Sequence, residues 1–182
     1  MSKIGKKPIV IPNGVTVTET GGELIIKGPL GEDRFSLPYR FELKRTDEML
    51  MVEPAILNKK NRMLWGTTRA LLNNKIRGVS QGFERQLILE GLGYTAELQE
   101  NKIIFRLGYT HPVEVLIPAG LTVELKPQKG LTVINVRGID KEQVGQFSAK
   151  LRKLKPADRY KLKGFRYVDE VIKKKPIKKS AK

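Results

Sequence analysis

The chain has 182 residues, 35 of them Lys or Arg against 19 Asp or Glu, for a formal net charge of +16. The absence of cysteine excludes disulfides, thiolate metal sites and thiol nucleophiles. Such an excess of positive charge points to a polyanionic partner, nucleic acid first and an anionic membrane surface second. The length suffices for one ordinary domain or two small ones, and the 40% of hydrophobic residues can build modest cores.

The opening MSKIGKKPIVIP lacks the apolar core of a signal peptide, and no run approaches a membrane span, so the chain reads as soluble and untargeted. IPNGVTV at 11–17 places Pro-x-Gly at a turn that feeds an alternating strand. VTVTET and ELIIKG then flank Gly21-Gly22, a two-residue hairpin signal, and MLMVEP adds a further strand. A helix is expected over about 58–77. Leu64, Thr68, Leu72 and Ile76 recur at i+4 with Leu71 and Val79 beside them, and Gly78 suits a left-handed stop. Trp65 lies next to Leu64 and reads as packing rather than base stacking.

The second half begins with the strand FERQLILEG and the loop GLGYTA. The loop matches G-x-G-x-x-A, but the residues after it alternate as a strand where a dinucleotide loop needs a helix N-terminus, so a bend or bulge is expected. YTAELQ and KIIFRL flank Glu100-Asn101 as another hairpin, followed by PVEVLIP. IPAGLTV at 117–123 then repeats the earlier heptapeptide, and LTVELK continues it. A helix follows, with Asp140 placed to cap it, Gln143 three residues later, and Val144, Phe147, Leu151 and Leu154 in one stripe until Pro156. The two halves also match at Lys27-Gly28 with Arg137-Gly138, and at Gly82-Phe83 with Gly164-Phe165. These matches keep the same order and imply an internal duplication. The expected class is α+β: two tandem repeats, each a small antiparallel sheet packed with one helix, at 1–82 and 83–170, with a basic flexible tail at 171–182.

No catalytic constellation is visible. His111 is the only histidine, no phosphate-binding loop is present, and adjacent acidic pairs such as Asp169-Glu170 point to opposite sides of extended chain. No enzyme activity, cofactor, metal or small-molecule substrate is expected. The charge is concentrated at the end: residues 150–182 hold 14 cations and 3 carboxylates, a net +11, leaving +5 for the rest. There the stretch DRYKLKGFRYV interleaves rings with cations. Lys150 and Lys153 precede it on the helix, and lysines follow it. Cations that track phosphates, with rings free to stack on unpaired bases, suit structured RNA. A free RNA- or DNA-binding regulator and a membrane-surface protein share the charge argument, though the tail has no amphipathic apolar partner.

With these residues in view, the chain resembles the large-subunit ribosomal protein L-six family, bacterial or organellar type. The likeness rests on SKIGKKPIVIP, KGPLG at 27–31, GVSQGFERQLILEGLGYTA, GYTHPV, GIDKEQVGQFSAKLR and PADRYKLKGFRYVDEVIKKK. The resemblance implies two tandem domains of one fold and a structural, non-enzymatic role in translation. It also implies binding to large-subunit ribosomal RNA near the sarcin–ricin loop and the factor-binding stalk base, beside neighbouring ribosomal proteins, in a bacterial cytoplasm or a plastid. Carried over by motif, Lys155, Arg159, Tyr160, Lys161, Lys163, Arg166 and Tyr167 would lie at the RNA, with Lys173, Lys174 and Lys175 continuing the contact. The family usually places a glycine where Leu162 stands here, and an aliphatic residue at Phe165.

Overall fold

The computed structural model describes residues 2–46, 48–128 and 130–176. They form two compact units. The first runs to Phe83 and takes in Ile139–Lys141; the second comprises Glu84–Gly138 and resumes at Glu142.

The repeated heptapeptides build the same turn. The amide of Val15 donates to the carbonyl of Pro12, and that of Leu121 to Pro118, each at 3.2 Å. The third residue of each turn is Gly14 (φ 83°) or Gly120 (φ 87°), a left-handed geometry open to glycine and strained for other residues.

In the first unit the strands are β1 (Ile9–Val10), β2 (Thr16–Thr20), β3 (Glu23–Gly28), β4 (Gly31–Ser36), β5 (Phe41–Thr46) and β6 (Met49–Pro54). They pair as two sheets, β2-β3-β4 and β1-β6-β5. Gly21 and Gly22 close the β2–β3 hairpin with φ of 60° and 86°, the two positive angles that match the strand twist. Helix α1 (Lys59–Gln81) follows, with the side chain of Asn58 capping it by accepting from the Asn61 amide at 2.7 Å. Its buried face carries Trp65, Thr68, Leu72, Ile76 and Val79, which meet Val17, Leu24, Ile26, Leu50 and Val52 in one core.

Two expectations for this helix are corrected. The buried stripe passes through Trp65, whose indole Nε1 donates to the carbonyl of Val52, while Leu64 and Leu71 point to solvent. Gly78 is not the stop: the helix runs one turn further, to Gly82 (φ 73°), whose amide donates to the Gly78 carbonyl. Gly78 is buried because the chain passes against it; a Cβ there would lie 2.1 Å from the Ile139 carbonyl oxygen. One turn earlier, Lys75 Nζ sits 2.9 Å from Asp33 Oδ2 and 2.9 Å from Asp140 Oδ2. Burial alone would lower its pKa, but hydrogen bonds to Asp33 and Asp140 outweigh this and hold it above the usual lysine value.

The second unit contains β7 (Phe83–Glu90), whose first residue belongs to the first unit, then β8 (Thr95–Gln99), β9 (Lys102–Arg106), β10 (Val113–Leu116), β11 (Leu121–Gln128), β12 (Leu131–Gly138), helix α2 (Lys141–Leu154) and β13 (Gly164–Tyr167). The sheets are β10-β9-β8 and β11-β12-β7-β13. Leu87, Leu89, Ile134, Val136, Val144, Phe147, Leu151 and Phe165 are buried, and Phe165 meets Phe105 edge to face at 5.3 Å between ring centres. GLGYTA joins β7 to β8 through a turn in which the Tyr94 amide donates to the Gly91 carbonyl, and a strand follows it. The fold is therefore α+β in two repeats, with the strands of each repeat divided between two small sheets.

Candidate nucleic-acid interface

The segment after α2 folds as a closed turn held by its own backbone. The Phe165 amide donates to the Lys155 carbonyl at 2.7 Å, and the Ala157 amide to the Phe165 carbonyl at 3.1 Å, clamping the two ends. Inside the clamp, the Asp158 amide donates to the Lys163 carbonyl at 3.0 Å and the Leu162 amide to the Asp158 carbonyl at 2.9 Å. Asp158 Oδ2 also accepts the Lys161 amide at 3.0 Å. Gly164 is required at the neck, because a Cβ there would lie 2.5 Å from the Lys155 carbonyl oxygen. Leu162, where the resemblance implies a glycine, adopts φ 61°. Arg159, Tyr160 and Lys161 occupy the tip and are exposed.

The sequence-predicted residues divide into two groups. Lys150 and Lys153 are exposed on α2, and Lys173, Lys174 and Lys175 are exposed beyond β13. The Lys175 amide donates to the Arg159 carbonyl at 3.0 Å, which folds the start of the tail back to the loop tip; residues 177–182 of the expected tail lie outside the described residues. Arg159 and Lys173 line one groove with Arg152, Ala157 and Glu170. Lys150, Lys153, Arg159, Lys161, Lys163, Lys173, Lys174 and Lys175 form no ion pair among the described residues.

The second group is committed internally. Lys155 is half-buried, its Nζ donating to the Leu107 carbonyl at 2.9 Å and lying 4.2 Å from the Tyr109 ring centre and 5.4 Å from that of Tyr94. Tyr109 closes the arrangement by donating its hydroxyl to the Leu154 carbonyl. Arg166 Nη2 lies 3.4 Å from Glu90 Oε2. Tyr167 is half-buried, with the guanidinium carbons of Arg85 and Arg152 at 5.3 and 5.8 Å from its ring centre. These three side chains brace the loop from inside the unit.

Part of this support has only a faint sign in the sequence. Arg152 grips Glu170 through two bonds, Nε to Oε2 and Nη2 to Oε1, and Glu170 Oε2 also accepts the Tyr167 amide. The Arg152 hydrogen bonds hold the Glu170 carboxyl below the usual glutamate pKa against the opposing effect of partial burial, with the Tyr167 amide assisting. The adjacent Asp169 turns instead to Arg85 at 3.5 Å. The signal available in the sequence was the acidic pair itself, which begins two residues beyond β13. Chemically the surface offers fixed positive charge and the exposed ring of Tyr160 at the tip, while the amides of Ala157, Asp158, Lys161, Leu162 and Phe165 are spent inside the turn. The buried Ser148 donates its hydroxyl to the Val144 carbonyl, and His111 is exposed.

A family model described as ribosomal protein L6 matches residues 11–82 and again 90–168. The chain belongs to the ribosomal protein L6 family. Two similar proteins are the large ribosomal subunit protein uL6 of Dictyoglomus thermophilum and that of Clostridioides difficile. Each is 46% identical over 183 residues, covering 100% of this chain and 100% of its own length. The uL6 protein of Nitrosococcus oceani is 45% identical over 180 residues, 98% of this chain and 99% of its own. The L6 family is structural and non-enzymatic, and its two matched segments correspond to the duplication written in the heptapeptides. No helix among the described residues is long and apolar enough to cross a membrane.

Proposed function

We propose that this chain is a structural component of the large ribosomal subunit that binds its RNA through the exposed end of α2, the 158–163 turn and the tail. The observation that carries this reading is the group of eight cations without carboxylate partners among the described residues, presented partly on a turn fixed by its own backbone. Phosphates satisfy such cations, and Tyr160, 46% exposed at the tip, offers a face to an unpaired base. The uL6 names of the relatives support the large subunit as the assembly. The family resemblance supports a position near the sarcin–ricin loop and the stalk base, with neighbouring ribosomal proteins as further partners. Bracing residues and contacting residues have separable roles: Lys155, Arg166 and Tyr167 set the loop, while Arg159, Lys161 and the lysines around them meet the RNA.

Filter binding of the full chain to large-subunit RNA at several salt concentrations tests the reading. With about six cations engaged, log K is expected to fall with log salt at a slope of roughly −4 to −5. Lys161→Ala is expected to flatten that slope by about 0.7–0.9, whereas Lys155→Met weakens binding with the slope retained. A flat salt dependence, or a protein that washes off large subunits in moderate salt, contradicts the proposal.

A further inference from the structure

The first unit carries another exposed ring paired with a cation. Leu37-Pro38-Tyr39-Arg40 joins β4 to β5, and the Phe41 amide donates to the Pro38 carbonyl at 3.2 Å, closing a turn with Tyr39 and Arg40 at its centre. Arg40 has φ 67°, the left-handed conformation that this position of a type II turn normally assigns to glycine. The strain is held in place, because the Arg40 carbonyl accepts the Ala55 amide at 2.9 Å. The result is a Tyr39 side chain that is 83% exposed, with the Arg40 guanidinium carbon 5.0 Å from its ring centre.

The Ala55 bond also sets this turn beside the lead-in to α1, where Ile56 and Leu57 are exposed and Lys59, Lys60 and Arg62 follow, exposed as well. Residues 37–41 and 55–62 together hold four cations and no carboxylate. None of the four forms an ion pair among the described residues. Core packing does not explain a tyrosine this exposed, and solubility does not call for a ring. A nucleotide strand answers both features, since a base offers a face to the ring and its phosphates offer charge to the cations. We propose that this turn is a second RNA contact, in which Tyr39 stacks on an unpaired base while Arg40, Lys59 and Lys60 take the flanking phosphates.

This inference rests on the reading that the chain binds ribosomal RNA, and the test separates the two. The full chain, Tyr39→Ala, Arg40→Gly and Lys161→Ala are compared in filter binding to deproteinised large-subunit RNA across salt, alongside thermal melts. Tyr39→Ala is expected to weaken binding about fivefold or more. Arg40→Gly is expected to weaken binding and flatten the salt slope by about 0.7–0.9, with melting unchanged or raised because glycine accepts the turn without strain. If both bind like the parent while Lys161→Ala weakens, the second contact is overturned and the main reading stands. If Lys161→Ala is also silent, the main reading falls with it. If the Tyr39 and Arg40 variants bind RNA normally but enter subunits poorly, the partner is a protein and the RNA assignment is overturned.

Discussion

Glu170 links the protein's acid stability to the loop it supports. Its folded pKa lies below the unfolded value of about 4.3. The stabilisation is therefore fully present above that pH and is lost as pH falls through the lower folded value. Glu170→Gln is expected to flatten the acid limb of stability measured by chemical denaturation from about pH 3 to pH 7; an unchanged limb would mean the fork with Arg152 contributes nothing. Leu162 holds a left-handed backbone, φ 61°, that suits glycine better than a branched residue. Leu162→Gly should be tolerated within about 1 kcal/mol, since relief of backbone strain opposes the lost side-chain burial and the added chain entropy. Leu162→Val should cost more, because a branched Cβ fits this conformation worst, and denaturation midpoints rank the two. At this scale the sequence located the cations but not their duties. Lys155 and Lys161 look alike in a string of letters; only the fold brings Leu107, Tyr109 and Tyr94 around one and leaves the other in solvent.

The elements were easier to read where burial imposed a pattern. Both repeated turns, both helices and the glycine hairpin follow from spacing and turn chemistry. β4 and β5 carry a weak sequence signal because GEDRFS and FELKRT are largely exposed, polar strands. The offset from Leu64 to Trp65 arose because α1 is apolar on more than one face, so periodicity alone admits either stripe. Gly78 is ambiguous for a related reason: glycine marks a helix end and a close chain crossing with the same letter. The crossing gives an inverted expectation for Gly78→Ala. On an open helix face this change stabilises by roughly 1 kcal/mol. Here the new Cβ meets the Ile139 carbonyl, so a loss of about 1–3 kcal/mol is expected in equilibrium unfolding. A gain in stability would remove the close packing from the account.

Across the molecule, the two repeats share a plan while the charge does not, with +11 of the +16 in the final 33 residues. Two α+β units and the cationic end were legible because duplication and composition need no three-dimensional information. The division of each repeat into two sheets was not, since it depends on which strands pair at a distance. Removing residues 173–182 takes away six lysines and the Lys175 bond to Arg159. The truncated chain should keep the melting temperature of the second unit yet show a clearly shallower salt slope in RNA binding. An undiminished slope would place the affinity elsewhere.

The inclusion of Ile139–Lys141 in the first unit also bears on how the chain matures during synthesis. A nascent chain that has reached only Phe83 lacks the carbonyl opposite Gly78 and the second carboxylate of Lys75. Translation must proceed nearly sixty residues further before that part of the amino-terminal half is complete, so its final tightening is timed by the carboxy-terminal half.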